Sequence, residues 1–540
     1  MAGVLLIAGV VLGVQLNATI IRGDAFEALR KLEAAFLTIS ERYVDQVDTA
    51  KLSEDAIKGM LGNLDPHSIY LSSEQMRSVN EDFNASFEGV GISFEMIEGA
   101  EAGQDTITVI NVISDGPSDR AGLLSGDRIV EVDGESAIGF STADVQRTLR
   151  GPRGTNVNVV VTRPGRPDAI SYDITRDRIP LYTLDAAYMV DDVTGYIRLN
   201  RFARSTYDEF VDAMGDLMAE GMQRLILDLR DNAGGFMDMA VRISDEFLGN
   251  GAEIVTARSR HPEFNQANIA RANGRFESQP VIVLLNERSA SASEIVAGAL
   301  QDHDRALIVG RRSFGKGLVQ KQFGMNDGSA LRMTISRFYT PSGRLIQTPY
   351  EDGLRDDYYQ EKYEQLRNER AQSVESLIDE VPDSLKYSTA GGRIVFGGGG
   401  ILPDYLVYPD TLSPIMRVIR GRSIDQEFAR GWLDRHGDEV RDAFPDARSF
   451  IADFAVDDEM MAEFTSYATS HGLDVGPVGE ASFSHAELQA ERRTLSVLLK
   501  AHVGNRLYGR AAWYPVFHDI DRTFQEAMTL WPSAETLATM

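Results

Sequence analysis

Lys316 is the residue at which chemistry is easiest to read. Positive charge in this chain rests on arginine, 46 residues against 8 lysines, and no lysine occurs between Lys58 and Lys316. A guanidinium stays protonated at any working pH, whereas a desolvated lysine amine can release its proton and act as a base. The loop Ser313-Phe314-Gly315-Lys316-Gly317 sets this amine between two glycines, just after the apolar run 306–309. Twenty-five residues upstream, Ser289-Ala290-Ser291-Ala292-Ser293-Glu294 opens a helix with apolar residues at Ala292, Ile295, Val296, Ala299 and Leu300. Free backbone N–H groups at a helix start favour developing negative charge. A serine nucleophile at Ser291, activated by Lys316, is the chemistry this pair would perform.

Each segment also carries a reading without chemistry. Ser291-x-x-Glu294 matches a capping box. Asp228-Leu229-Arg230-Asp231-Asn232-Ala233-Gly234-Gly235 follows a buried strand, and its glycine N–H groups would supply an oxyanion donor, or it is an ordinary strand-to-helix turn. Lys316 by itself reads as a loop lysine. In extended chain Lys316, Leu318 and Gln320 share one face, which would let Gln320 hold the amine towards Ser291.

Other chemistries fit less well. His303 lies 12 residues beyond Ser291 on the same helix, about 18 Å away at 1.5 Å per residue, and Asp302 is equally remote. His67 and His261 sit in loops without a matching acid. No His-x-x-x-His motif, acidic cluster or phosphate-cradling loop is present, so no metal and no cofactor is expected. A net charge of −27 opposes nucleic acid. Zero cysteines exclude disulfides, thiolate metal sites and a cysteine nucleophile.

The elements that must position these residues are α/β in pattern. Residues 2–16 are free of charge, between a signal h-region and a bilayer span in length. Residues 1–23 are therefore expected to be a signal or membrane anchor, and the chain exported. Residues 24–84 read as helical, with Phe26, Leu29, Leu32, Phe36 and Ile39 at 3–4 spacing. Residues 85–166 read as glycine-punctuated strands with one short helix. From about residue 178, strands 194–199, 225–229 and 281–285 alternate with helices 205–220, 236–248 and 291–302, a layered βαβ pattern. Residues 351–396, charged and rich in tyrosine, read as a surface insertion, and 411–540 as helical throughout.

These residues resemble the carboxyl-terminal processing (tail-specific) serine peptidases. The segments that carry the likeness are 289–295, Phe314-Gly315-Lys316-Gly317 with Gln320, and Gly400-Ile401-Leu402-Pro403-Asp404. The resemblance implies Ser291 as nucleophile, Lys316 as general base and Gln320 as orienting residue. It also implies an oxyanion hole from the N–H groups of Ala292 and of Gly234 or Gly235. Gly89-Val90-Gly91-Ile92-Ser93-Phe94 and Ala121–Ile129 are similar to the family's PDZ domain, in which such a loop takes a terminal carboxylate while the peptide adds as a strand. The implied fold is a crotonase-like layered ββα core over 167–410, with an inserted PDZ domain (85–166), an N-terminal helical region and a C-terminal helical domain (411–540). Departures are Ala233 for the usual proline, Ser118 for alanine and Ser313 for threonine. The expected function is a periplasmic or envelope endopeptidase that cleaves proteins with exposed C-terminal tails, possible as a homo-oligomer. A non-catalytic PDZ scaffold that binds tails is the alternative.

Overall fold

Val281-Ile282-Val283-Leu284-Leu285 is apolar at every position, the pattern of a strand covered on both faces. In the computed structural model, which describes residues 25–97, 104–113, 115–271, 274–368, 381–408, 410–477 and 480–539, this strand sits inside a six-stranded sheet. The order is Leu184–Met189, Thr194–Leu199, Arg224–Asp228, Val281–Leu285, Leu307–Gly310, Tyr405–Leu406. The first pair is antiparallel and all the others are parallel. One face packs Leu225, Leu227, Val283 and Ile308 against the helices Thr206–Ala219, Met237–Asp245 and Ala292–Asp302. The other face packs Tyr196, Ile226, Ile282, Leu284 and Val309 against Phe524, Ala527, Trp531 and Leu537. Those four residues come from the helices Arg522–Thr529 and Trp531–Ala538, so the C-terminal region completes the central sheet as well as forming a core of its own.

The segment 85–180 forms a second sheet, ordered Ile92–Ile97, Thr106–Val112, Arg128–Val132, Asn156–Thr162, Ile170–Thr175, with Glu135–Ser136 beside the third strand. Its inward valines and isoleucines, among them Ile107, Val109, Ile129, Val157, Val159 and Val161, are buried together with Val145 and Leu149 of the helix Thr142–Leu149. Residues 163–168, which end the expected PDZ segment near 166, are a hairpin turn inside this sheet, because the strand after them pairs back from Val161↔Ile170 to Asn156↔Thr175. Where the chain enters and leaves, Ser86–Gly89 and Asp177–Pro180 run antiparallel to each other. Against the edge strand lies the C-terminal helical domain: Glu95 accepts Arg506 Nη2 at 2.8 Å and faces Arg430 at 3.5 Å, and Arg128 pairs with Asp434 at 3.1 Å.

A smaller unit gathers the described residues up to Met76 with Gln320–Thr334 and Tyr350–Lys362. Residues 25–42 are helical as the spacing predicts, but Phe26, Leu29, Leu32 and Ile39 remain 42–58% exposed. The helical reading of 24–84 omits the short strand Ile69–Leu71, which pairs antiparallel with 330–332. Asp65 fixes the turn before it, accepting the N–H groups of His67 and Ser68 and the hydroxyls of Ser68 and Thr334.

The tyrosines of 351–396 are not surface decoration: Tyr358 is buried and stands edge-on to the His67 ring, with centroids 5.4 Å apart. Further along, in the larger unit, Val395 and Phe396 are buried and Arg393 pairs with Asp304 and Asp404. The expected signal or anchor, residues 1–23, lies outside the described residues. Among the described residues no helix is long and apolar enough to cross a membrane.

Trp531 is 3% exposed and also lies under the Arg224 guanidinium at 4.5 Å. Truncation of a buried aromatic to alanine costs about 3–5 kcal/mol. Trp531→Ala is therefore expected to lower the first thermal unfolding transition, followed by circular dichroism. An unchanged transition would show that these helices do not support the sheet.

Candidate active site

Three loops follow the carboxyl ends of the parallel strands, residues 229–236, 286–291 and 311–317, at the edge where open α/β sheets place their sites. Ser291 stands at the turn into the helix Ala292–Asp302 with φ +55°, a region that side-chain-bearing residues avoid. Such a conformation costs about 1–3 kcal/mol and persists only where its surroundings over-determine it. Here the Ser291 N–H donates to Glu294 Oε2 at 2.7 Å and its carbonyl accepts the Ile295 N–H at 2.9 Å. Next to it the Ala290 N–H donates to the Asn232 carbonyl at 3.0 Å.

Glu294 is wholly buried, and its carboxylate ties Ser291 to the lysine loop. Oε2 also accepts the Lys316 N–H at 2.9 Å, while Oε1 accepts the Gly315 N–H at 2.6 Å and the Ser313 hydroxyl at 2.5 Å. Burial pushes this carboxyl above the ordinary glutamate range, and the donors offset that only in part. The lysine loop is held from outside too. Phe314 N–H donates to the Ser289 carbonyl, Thr348 N–H to the Gly315 carbonyl, and Gly317 N–H to Gln347 Oε1, each at 2.9 Å. Gly315, at φ +88°, has no room for a side chain: a Cβ would stand 2.3 Å from Thr348 Oγ1. The element 400–404 closes the loop, with Ile401 N–H on Ser313 Oγ at 2.6 Å and Ser313 N–H on the Ile401 carbonyl at 3.0 Å. Lys316 itself is half-buried.

The glycine loop presses on the same turn. A Cβ on Gly234 would meet the Ala290 carbonyl at 2.7 Å, Ala292 N at 2.8 Å and Ser291 Cβ at 2.8 Å, and one on Gly235 would meet the Phe202 carbonyl at 2.0 Å. The sequence leaves open which glycine offers its N–H; the Gly234 N–H is occupied, donating to Asn232 Oδ1 at 2.9 Å. Among the described residues neither the Gly235 nor the Ala292 N–H donates to a protein acceptor. Asn232 is the hub of this loop, since its Nδ2 donates to the Leu199 carbonyl and its own carbonyl also takes the Ser293 hydroxyl.

The larger unit thus brings together Ser291, Ala292, Gly234, Gly235 and the Lys316 loop. Gln320 belongs to the smaller unit, where its carboxamide donates to the His67 carbonyl at 2.6 Å. His303 and Asp302 are structural: the His303 ring bonds the Glu253 carbonyl at 2.7 Å, and Asp302 pairs with the buried Arg344 at 2.6 Å. In the second sheet, Phe87, Val90, Ile92, Phe94, Val145 and Leu149 line a groove of about 500 Å³ between the edge strand Ile92–Ile97 and the helix Thr142–Leu149. Gly89 and Val90 lead into it, and Gly91 (φ +80°) and Ser93 lie along it. The Val90 and Gly91 carbonyls turn inward, accepting the Ser118 and Ile113 N–H groups at 3.0 Å. Sequence reasoning gave Glu294 no role beyond the cap and gave Asn232, named within its loop, no role of its own. An asparagine just before a small-Gly-Gly turn is the one local signal for it.

Residues 193–359 match the model of peptidase family S41, residues 108–163 a PDZ domain, and residues 14–75 the activating protease CtpB N-terminal domain. Residues 415–509 match a family of unknown function. A carboxy-terminal-processing protease of Bartonella bacilliformis is 37% identical over 350 residues, 64% of this chain and 79% of that protein. Carboxy-terminal processing protease CtpB of Bacillus subtilis is 32% identical over 323 residues, 59% of this chain and 66% of that protein. Among solved structures, a photosystem II D1 C-terminal processing protease is 29% identical, with a TM-score of 0.32 over 58% of this chain and 88% of that one.

Because folding raises the Glu294 value, this group takes no stability from the fold as pH falls; what protonation removes is the arrangement. A protonated carboxyl offers a donor where three N–H groups need acceptors. Reactivity of Ser291 towards a small activated ester is therefore expected to fall as pH drops through a value above the ordinary ~4.3, before thermal stability declines. Full reactivity down to about pH 4 in the folded protein would contradict this.

Proposed function

This chain belongs to peptidase family S41, among the carboxy-terminal processing serine proteases that carry a PDZ domain, and from that premise we propose that Ser291 is its nucleophile and Lys316 its general base. The observation that carries this reading is the shared oxygen of Glu294. Oε2 accepts the N–H groups of both residues, at 2.7 and 2.9 Å, so one buried atom sets a strained serine and a lysine in register. In the proposed reaction the neutral Lys316 amine takes the Ser291 hydroxyl proton as Oγ attacks a peptide carbonyl. The Ala292 and Gly235 N–H groups receive the oxyanion, the first at a helix N-terminus. Lysine then returns the proton to the leaving amine, and water hydrolyses the acyl-enzyme. The two-sided sheet and its helices fit the crotonase-like layering that the resemblance implies.

The groove beside Ile92–Ile97 is read as the tail site. That strand ends the sheet, so an extended peptide can add to it through main-chain hydrogen bonds. The apolar lining of Val90, Ile92, Val145 and Leu149 favours a tail ending in an apolar residue. The uncharged run 2–16 supports an exported, envelope location; recovery from the cytosol with residues 1–23 intact would overturn it.

On an unfolded protein ending in apolar residues, Ser291→Ala and Lys316→Ala are expected to abolish cleavage while binding the tail as the parent does. A tail ending in charged residues should be cut more slowly by the parent. Binding by all three proteins without cleavage by any would support the scaffold reading instead. Gln320→Ala tests the orienting role that the resemblance implies: kcat should fall while KM holds, and an unchanged kcat would remove Gln320 from the mechanism.

A further inference from the structure

One residue of the C-terminal helices reaches the loop that presents Gly235. Asp521 caps the helix Arg522–Thr529, its Oδ1 accepting the Phe524 N–H at 3.2 Å. The same carboxylate takes Arg230, Nη1 donating to Oδ1 at 3.0 Å while Nη2 stands 2.7 Å from Oδ2 as an ion pair. Arg230 also binds Asp228, through Nε at 3.0 Å and Nη2 at 2.7 Å. Asp228, wholly buried at the end of its strand, further accepts Arg198 Nη1 at 2.8 Å and the Tyr196 hydroxyl at 2.7 Å. Arg198 carries the series on, its Nη2 donating to the Arg230 carbonyl at 3.1 Å and to Asp231 Oδ2 at 3.0 Å. Asp231, at φ +62°, is joined to Asn286 by two bonds of 2.9 Å. The series therefore starts in the C-terminal domain and ends in the two loops that carry Gly235 and Ser291.

Charge decides what this series does. Arg230 is held by two carboxylates, Asp228 and Asp521, while Arg198 faces Asp228, Asp185 and Asp231; Arg230, Asp228 and Asp521 are at most 13% exposed. Without the Asp521 charge Arg230 keeps only Asp228, a carboxylate it shares with Arg198, and gains by moving towards water. Arg230 cannot move alone, because its carbonyl and its neighbour Asp231 are bonded to Arg198. An amide in place of Asp521 keeps an oxygen for the Nη1 bond but carries no charge, so it cannot hold the guanidinium as the carboxylate does.

We infer that Asp521 is a positioning residue for the proposed reaction, holding Arg230 so that the loop 231–235 presents the Gly235 N–H to the oxyanion. The inference rests on the reading of Gly235 as an oxyanion donor. It gives the C-terminal helical domain a part in turnover separate from its covering of the sheet.

The test uses the full chain with Asp521→Asn and Asp521→Glu, and Trp531→Ala as a control that loosens the same helices without touching the ion pairs. Measurements are kcat and KM on an apolar-tailed substrate, and the affinity for a peptide aldehyde relative to the matching alcohol. Only the aldehyde forms a tetrahedral oxygen that uses the oxyanion donors. Asp521→Asn is expected to lower kcat about 100-fold, the effect of a donor misplaced by about 1 Å, with KM unchanged and the aldehyde preference lost. Asp521→Glu should recover much of the activity, and folded Trp531→Ala should keep the parental kcat. Parental kcat in folded Asp521→Asn overturns the inference, as does a loss that Trp531→Ala reproduces per folded molecule. If Asp521→Asn does not fold, the charge-balanced pair Arg230→Met with Asp521→Leu is read by the same criteria. A parent that neither cleaves nor prefers the aldehyde would instead sink the proposed function.

Discussion

Glu294 brings a full negative charge to a place without water, and most of the site's geometry follows from how that charge is tolerated. A buried carboxylate is unfavourable by several kcal/mol unless donors surround it. Four do so, from residues 291, 313, 315 and 316, and hydrogen bonds to a charged group are worth about 1.5–3 kcal/mol each. The donors are mostly backbone N–H groups, so satisfying the charge fixes main chain rather than side chains. That is why Ser291 can be held at a positive φ, and why the lysine loop is fastened to the start of the helix. The glycines at 234, 235 and 315 are the other half of this constraint, since each lets one main chain approach another more closely than a Cβ would allow.

Charge is managed by the same rule throughout the larger unit. Several buried acids are answered by arginines: Asp228 by Arg198 and Arg230, Asp302 by Arg344, Asp404 by Arg393. Burial would raise the Asp228 carboxyl, but Arg198 and Arg230 outweigh it and hold it below the usual range. Arginine serves here because its fork satisfies a carboxylate or several carbonyls at once and never loses its charge. A lysine-poor interior leaves Lys316 as an amine whose environment differs from that of its neighbours.

Much of this was legible in the sequence wherever the signal was local. The serine cluster, the lysine between glycines and the uninterrupted apolar strands could be read within windows of a few residues. The capping box of Ser291 and Glu294 turns out to do more than cap a helix, since its carboxylate also holds the lysine loop. What stayed hidden depends on partners distant in the chain. Nothing near Asp521 announces that it answers Arg230. The turn at 163–168 looked like a domain edge because a hairpin and a linker share proline and glycine. The tyrosines near 358 looked like surface because the His67 ring that covers them lies far upstream.

The covering of the central sheet has a consequence for biosynthesis. Strands 224–228 and 281–285 carry apolar residues on both faces, and Phe524, Ala527, Trp531 and Leu537 close much of the second face. While the chain is still emerging, the half-made sheet presents a bare apolar surface for as long as residues 286–521 take to appear. Contacts that span so many residues form late, because the loop they close must first be ordered. A chain-cutting site built on this sheet therefore matures only after residues 522–537 have been made, and the nascent protein is exposed to sticking long before it is able to cut.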